Sequence, residues 1–398
     1  MTAGIVAKTK KLSIEPFDLA LLGVALAAFV LCSIFRTRYI GGSDSYGYYS
    51  LAELFLDGRI TLPTELSPAE FPNVAPLGYL TNGAEVIPTY QPGYPFLMAI
   101  ASYLHLQFFV TPISAFLSII FVYLILKHFT QSAATSFFFA AVWTASPIVL
   151  WGGTNAMSDI VATCFGVICF YLLLTPGAWR GFTAGLLLGL SLAIRPTNVL
   201  LFPAFAYESW VRSKFRSIYA VVGLVIGGLP IAAWNTHLYG YPWKTGYGSI
   251  LNLLTPNIFW HHSTHYLSYT FQVLTPIIVL AIIPVIQSPR KYASLVLWFL
   301  AFYLFYSFYA PGGDVWWYTR FLVVGYPPLV ILSALGAQTA IAFLKRRFAN
   351  LTFLPIVLYG SLLIAIVSYS LSFANDKNIF DANKQKHYYD DSLFIESV

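Results

Sequence analysis

The chain has 398 residues, of which 58% are hydrophobic and only 10% charged, and its mean hydropathy is +0.70. A composition this apolar excludes a soluble globular protein and predicts a polytopic membrane protein. The net charge of +6 comes partly from basic loop residues that set membrane topology, so it does not predict a nucleic-acid partner. No phosphate-binding loop or dinucleotide fingerprint is visible. Three cysteines lie in apolar runs, as buried small hydrophobes do: Cys32, Cys164 and Cys169.

Apolar runs near the ~20 residues needed to cross a bilayer recur along the chain. They predict an all-α fold with about 11 transmembrane helices, at residues 18–35, 112–127, 133–150, 159–174, 181–194, 197–211, 217–235, 267–286, 292–309, 321–342 and 351–372. One further segment, Tyr94 to Val110, either spans the membrane or lies in its interface. That choice decides the orientation of everything that follows it.

The charged residues favour an interfacial helix at Tyr94 to Val110. With that assignment the cytoplasmic side holds only Glu15, Asp18 and Glu208 of the 16 acidic residues. The same side then holds 13 of the 22 Lys and Arg, at residues 8, 10, 11, 127, 180, 212, 214, 216, 290, 291, 345, 346 and 347. Because basic residues concentrate on the cytoplasmic side, we predict the N-terminus inside and the C-terminus outside. Residues 1–372 then form a single transmembrane domain with a first extracytoplasmic loop at 36–111, and residues 373–398 form a polar extracytoplasmic tail.

The first loop begins with the stretch GGSDSYGYYS, residues 41–50. Apolar positions from Tyr46 to Asp57 follow helical spacing and Gly58 comes next as a C-cap, which predicts an amphipathic helix in the membrane plane. Asp44 would precede the first turn of that helix, either as its N-cap or as a functional carboxylate. The many prolines in the rest of the loop argue against a sheet and favour short helices joined by turns.

Five more charged residues on the predicted outer face lie at the ends of apolar segments. Asp159 opens the fourth span, Arg195 interrupts AIRPTN, and Lys244 lies in YPWKTGYG. Asp314 and Arg320 flank the stretch VWWYT. A charge at the bilayer centre costs about 2.5–3.5 kcal/mol on insertion scales, so each needs a reason. An ion pair, such as Asp314 with Arg320, explains one residue at a time, whereas convergence of all five on one face indicates a functional site.

Two further motifs have simpler interpretations. The run HHSTH, with His261, His262 and His265, has loose metal-ligand spacing, but without a fourth ligand or evident helical context it is typical of an interfacial loop. The spaced glycines Gly181, Gly185 and Gly189 indicate close helix packing.

Four stretches carry a family resemblance, and together they cover residues 18 to about 340: SDSYGYY; TYQPGYPFLMAIAS; TNAMSDIVATCFGVICFYLLL with LAIRPTNVLLFPAF downstream; and YTRFLVVGYPPLVILSALG. In this order they resemble the GT-C superfamily of integral-membrane glycosyltransferases, which includes protein mannosyltransferases, aminoarabinose transferases and a large bacterial group. Members often have a second acidic residue beside the first-loop aspartate, where this chain has Ser45 and Tyr46. Many also carry a soluble domain after the helices, where about 26 polar residues follow here.

The resemblance implies a hexosyl- or pentosyltransferase that moves a sugar from a polyprenyl-phosphate donor to a hydroxyl of a glycan, lipid or protein acceptor, with inversion. It implies Asp44 as the catalytic base and Asp159 as a carboxylate that positions the acceptor or shares a cation. No cofactor is certain, although a divalent cation is a candidate, and its ligands are left unassigned. The implied substrate-binding residues are Arg195 and Arg320 on the phosphate, the weaker phosphate ligand Lys244, and Tyr46, Tyr48 and Asp314.

A polytopic transporter or lipid flippase is the alternative function. Transporters tend to have internal repeats and ionisable residues inside spans, whereas this chain shows no evident repeat and nearly all its charges lie at span ends. Only the break at Arg195 is typical of a transporter. The predicted location is a bacterial inner membrane with the site facing the periplasm or exterior, since the only glycosylation sequon, at 350–352, falls on the cytoplasmic side.

Overall fold

The computed structural model describes residues 15–62, 75–82, 85–347 and 354–390. Over these ranges the chain is an all-α polytopic membrane protein, as predicted. The α-helices are α1 Pro16–Ile34, α2 Gly42–Leu56, α3 Gly93–Ser102, α4 Val110–Thr130, α5 Ala133–Ala145, α6 Pro147–Thr154, α7 Ser158–Leu174, α8 Ala178–Ile194, α9 Phe202–Arg212, α10 Lys214–Tyr239, α11 Phe259–Leu274, α12 Ile282–Gln287, α13 Ala293–Phe308, α14 Pro327–Arg347 and α15 Leu354–Asp376. Short 3₁₀ helices include Pro196–Leu201, Trp316–Phe321 and Val323–Gly325, and two strands are β1 Tyr79–Asn82 and β2 Glu85–Pro88.

Among the described residues, five helices are long and apolar enough to cross a membrane, and two bent pairs raise this number to seven. In the bent pairs, α5 meets α6 at 56° and Pro256–Leu274 meets Pro276–Gln287 at 107°. Proline breaks both, because it removes a backbone donor and disfavours helix in the residue before it. Three more apolar helices, α7, α8 and α13, have 16 or 17 residues. The count of 11 spans stays a prediction.

Contacts among the helix termini define the two ends of the helix bundle. At one end, which we call the basic end, Lys127 at the end of α4 pairs with Asp18 at the start of α1, 2.8 Å between Nζ and Oδ1. Arg216 at the start of α10 also lies there, donating to the carbonyl groups that end α7. At the opposite end, the guanidinium of Arg36 lies 4.2 Å from the ring centre of Phe109, just before α4. The chain between α1 and α4 therefore begins and ends at the same end of the bundle.

The segment Tyr94 to Val110 does not form one continuous helix. Helix α3 has ten residues and ends at Ser102, after which the chain turns before the 3₁₀ helix that leads into α4. At 1.5 Å per residue α3 is about 15 Å long, half the thickness of the hydrocarbon. It is too short to cross, which agrees with the assignment that the charges favour.

Helix α2 begins at Gly42, four residues earlier than predicted, and Gly41 is its N-cap. Asp44 lies inside the first turn, so the N-cap interpretation is wrong. A carboxylate in a first turn is still favourable, because the backbone dipoles leave partial positive charge there. The predicted end is confirmed, since Gly58 follows the C-cap with a φ of +69°.

The loop contains a sheet where the prolines argued against one. Strands β1 and β2 pair antiparallel, with Tyr79 opposite Pro88 and Asn82 opposite Glu85. Pro76 precedes the first strand and Pro88 ends the second, so neither removes a donor from the middle of the ladder. The prolines at 63, 68 and 72 lie outside the described residues.

The stretch after α15 packs on the start of the first loop. The backbone N–H of Arg38 donates to the carbonyl of Ala382 at 3.2 Å, and the rings of Phe35 and Phe380 are 5.3 Å apart. A Cβ on Gly41 would lie 2.3 Å from Gln385. This part of the predicted tail therefore lies at the same end of the bundle as Asp44, while residues 391–398 lie outside the described ranges.

Helices α8 and α10 pack backbone to backbone, as the spaced glycines predict. A Cβ on Gly185 would lie 1.9 Å from the carbonyl oxygen of Ala220, and one on Gly223 would lie 2.1 Å from that of Phe182. Only glycine permits this approach, which is typical of small-residue interfaces between membrane helices.

Candidate active site

A cavity of about 830 Å³ opens at the end of the bundle opposite the basic end. Its walls come from α2, the chain before α3, the break after α8, the loop after α10, the end of α13 and the 3₁₀ helix Trp316–Phe321. Five of the eight residues predicted for the site line it: Asp44, Tyr48, Arg195, Lys244 and Arg320.

Asp44 presents its carboxylate to this cavity from the first turn of α2. The hydroxyl of Tyr90 donates to Oδ1 at 2.6 Å, and a guanidinium N–H of Arg320 donates to Oδ2 at 2.7 Å. Burial raises the pKa of Asp44, but the charge of Arg320 and these two hydrogen bonds outweigh it and hold the pKa below its usual range. Because its pKa is lowered, the carboxylate is ionised at neutral pH. Its side chain is 29% exposed, so it is accessible from the cavity.

Asp159 and Arg195 form a buried ion pair. Asp159 lies in the first turn of α7 with its side chain 3% exposed, and it does not line the cavity. Arg195 ends α8 in extended backbone, because the following Pro196 disfavours helix before it. This break directs the guanidinium of Arg195 to Asp159 and, more weakly, to the hydroxyl of Tyr306 at 3.4 Å.

Arg320 connects the two carboxylates. Besides its 2.7 Å contact with Asp44, it lies 4.0 Å from Asp159, and its side chain is 9% exposed. The guanidinium lies over the ring of Phe321 at 4.9 Å, which holds it in place. Each carboxylate therefore faces a guanidinium, as in an ion-pair network. This arrangement does not fit the expectation that Asp44 and Asp159 share a bound cation.

Lys244 gives the site an excess of positive charge. It lies exposed at the rim of the cavity and has no ion pair among the described residues. Arg195 and Arg320 are balanced by Asp159 and Asp44, so the ammonium group of Lys244 leaves a net charge of about +1. An anion is the favoured occupant of this region.

Sequence reasoning missed several residues of the cavity wall. Tyr90 orients Asp44, and the neighbouring Gln91 is 2% exposed with neither amide atom hydrogen-bonded among the described residues. Both lie in TYQPGYPFLMAIAS, where a glutamine among prolines and aromatics was the available signal. Aromatic side chains line much of the remaining wall: Tyr247, Tyr306, Tyr309, Tyr318 and Phe321.

Two predicted residues lie elsewhere. Tyr46 is on α2 with 38% exposure and does not line the cavity. Asp314 also does not line it, and its carboxylate accepts a hydrogen bond from His261 at 2.7 Å. The alternative of an ion pair between Asp314 and Arg320 is wrong, since Arg320 contacts Asp44 and Asp159.

No protein-family model and no curated protein sequence matches the chain. Solved structures do. The archaeal oligosaccharyltransferase AglB from Archaeoglobus fulgidus matches 94% of this chain with a TM-score of 0.60 at 13% identity. ArnT from Cupriavidus metallidurans matches 90% with a TM-score of 0.57 at 11% identity. The chain has the GT-C fold.

The GT-C fold confirms what the four sequence stretches implied about architecture. The chain spans 58% of the length of the AglB structure and 70% of the ArnT structure. At 11–13% identity the likeness extends to the fold alone, so the roles of individual residues must come from the geometry of this cavity.

Proposed function

We propose that the chain is a membrane glycosyltransferase that moves a sugar from a polyprenyl-phosphate donor to an acceptor hydroxyl. One observation carries this proposal: in a GT-C fold, an ionised carboxylate and three cationic side chains gather at a single cavity at one end of the helix bundle. Two structures of similar fold are consistent with a lipid phosphate as donor. The AglB structure holds a dolichol-phosphate, and the ArnT structure holds undecaprenyl phosphate.

In this proposal Asp44 is the general base. It accepts the proton of the acceptor hydroxyl as that oxygen attacks the anomeric carbon, and the bond from that carbon to the phosphate oxygen breaks. The anomeric configuration inverts, and polyprenyl phosphate leaves with the bonding electron pair. Tyr90 and Arg320 each occupy one carboxylate oxygen, so they orient the remaining lone pairs towards the cavity.

The cationic groups stabilise the departing phosphate. Lys244 is free to bind it, and the guanidinium groups of Arg320 and Arg195 supply fixed positive charge beneath it. Gln91 and Tyr48 are suited to the sugar, because an unpartnered buried amide gains hydrogen bonds from sugar hydroxyls. The acceptor is a glycan, lipid or protein. Because basic residues concentrate on the cytoplasmic side, the basic end is cytoplasmic in this proposal. The proposed location is a bacterial inner membrane with the cavity facing the periplasm.

Binding of the lipid phosphate is the direct test. The purified chain in lipid nanodiscs is expected to bind undecaprenyl phosphate in preference to undecaprenol by native mass spectrometry. Lys244→Ala should weaken this binding about 10-fold, since a hydrogen bond to a charged group contributes about 1.5 kcal/mol or more. Lys345→Ala, an exposed lysine at the end of α14, is the control. Equal binding of alcohol and phosphate would contradict the proposed donor.

The pH dependence of transfer is expected to report Asp44. Its lowered pKa keeps the base ionised at neutral pH, so the rate should fall only as the pH drops below the ordinary Asp pKa of about 3.9. Tyr90→Phe removes a hydrogen bond that lowers this pKa, so the acid limb of kcat/KM should move to higher pH. Tyr79→Phe is the control, because the Tyr79 hydroxyl bonds to Ser50 and Tyr79 does not line the cavity. An unshifted acid limb in Tyr90→Phe would exclude Asp44 as the titrating group.

A further inference from the structure

A second cluster of chemistry-bearing side chains lies outside the cavity, on α11 and the chain that follows α13. His261 and His265 are four residues apart on one face of α11, with ring centres 4.2 Å apart. Asp314 reaches the same point from the segment between α13 and the 3₁₀ helix Trp316–Phe321. The helical context that the sequence run HHSTH lacked is therefore present, and so is a third ligand.

The spacing of the three side chains suits a small tetrahedral ion. His261 Nε2, His265 Nδ1 and Asp314 Oδ1 lie within 4.8 Å of one another. Asp314 Oδ1 is 2.7 Å from His261 Nε2 and 3.9 Å from His265 Nδ1. Ligand atoms around tetrahedral zinc are about 3.4 Å apart, a value between these two distances. All three side chains are at least 40% exposed, so small rotations can equalise the distances.

His265 has an unused ligand atom. Its Nδ1 is buried and makes no hydrogen bond among the described residues. A buried nitrogen without a partner is costly, and a metal would satisfy it. Around the cluster, the hydroxyl of Tyr269 donates to the carbonyl of Asp314 at 3.0 Å. Gly313, with a φ of +110°, passes so close to His262 that a Cβ would lie 2.4 Å from its ring, so the path of the chain to Asp314 is fixed.

We propose that His261, His265 and Asp314 form a zinc site that ties α11 to the segment between Tyr309 and Trp316. Two imidazoles with one carboxylate are ligands that zinc prefers, whereas magnesium and calcium prefer oxygen ligands alone. Water occupies the fourth position, since the cluster faces solvent. The tied segment supplies Tyr309 and Pro311 to the cavity wall and leads to Arg320. The inference does not rest on the proposed function, because it concerns metal content and local order.

The test uses the full chain, purified in detergent, stripped with a chelator and reloaded with Zn²⁺. After desalting, elemental mass spectrometry is expected to find one zinc per wild-type chain. His265→Ala and Asp314→Asn should each bind at least about 100-fold more weakly, since loss of even an outer partner of a metal ligand costs 10- to 100-fold. His237→Ala, an exposed histidine at the end of α10, should keep its zinc.

Two further readouts separate a built site from loose surface binding. Co²⁺ should give the visible absorption of a tetrahedral complex in the wild type and in His237→Ala only. Zinc should also slow amide hydrogen exchange across residues 310–315 in the wild type and leave it unchanged in Asp314→Asn, which has nearly the same shape. Zinc content in His265→Ala equal to that of the wild type, or no zinc retained by the wild type, would overturn the proposal.

Discussion

Asp44→Asn is expected to lower the rate of sugar transfer about 100- to 10,000-fold, the range for a general base, without unfolding the protein. The amide has nearly the same shape, and Arg320 keeps Asp159 as a counter-ion at 4.0 Å. What is lost is the proton acceptor in the cavity wall. The measurement is release of polyprenyl phosphate by the purified variant, together with its thermal midpoint and its amount in membranes.

Asp57→Asn is the matched control for this variant. Asp57 follows the other end of α2, is 56% exposed and pairs with Arg59, so it has no contact with the cavity. Its transfer rate should equal that of the wild type. Wild-type transfer by Asp44→Asn would remove Asp44 as the base. A misfolded Asp44→Asn would instead mean that its ion pair with Arg320 holds the fold.

Asp159→Leu is expected to cost about 3–5 kcal/mol of stability, because it leaves Arg195 buried and without its partner. The double variant Asp159→Leu with Arg195→Leu removes both charges. It should recover most of the stability, since replacing a buried pair with apolar side chains is often neutral or stabilising. Thermal unfolding in detergent measures both. The sequence assigned Asp159 to catalysis, and its 3% exposure is the reason to propose a supporting role instead.

Stability, and not transfer, separates the two roles of Asp159, since the double variant also lacks the Arg195 charge and is expected to lose transfer in either case. If the single variant Asp159→Leu folds as well as the wild type, Asp159 is not a structural counter-ion. That result would return it to the list of candidate catalytic groups.

Local sequence features predicted much of the fold. Apolar runs predicted a polytopic helical chain, because a segment that crosses the hydrocarbon must be long and apolar. The distribution of basic residues predicted that the loop between the first two long helices lies on the outer side. The break at Pro196 was predicted. The breaks at Pro147 and Pro276 were not, because they lie inside the predicted spans 133–150 and 267–286, although proline is incompatible with a continuous helix at both. The short sheet was missed because its prolines lie at the ends of the strands. The spacing of prolines in the sequence is the same for strand ends as for turns.

The site was only partly predictable because its partners are distant along the chain. Arg320 contacts Asp44, 276 residues away, and not Asp314, which is six residues away. Of the charged residues selected by their position at span ends, Asp44, Arg195, Lys244 and Arg320 line the cavity, but their pairing is decided by how the helices pack. Tyr90 and Gln91 carry no charge, so a search for charged residues at span ends did not select them, and the glutamine among prolines and aromatics was their one local signal.

Cells that lack this chain, restored with either the wild type or Asp44→Asn, offer the most direct comparison. Mass spectrometry of their envelope glycans and glycolipids, with the amount of membrane-inserted protein measured alongside, would identify the acceptor as well as the activity. We expect one glycan to gain a single sugar only when the wild type is present. Identical glycans in all three strains, with equal amounts of protein in the two restored ones, would contradict a glycosyltransferase and favour a transporter.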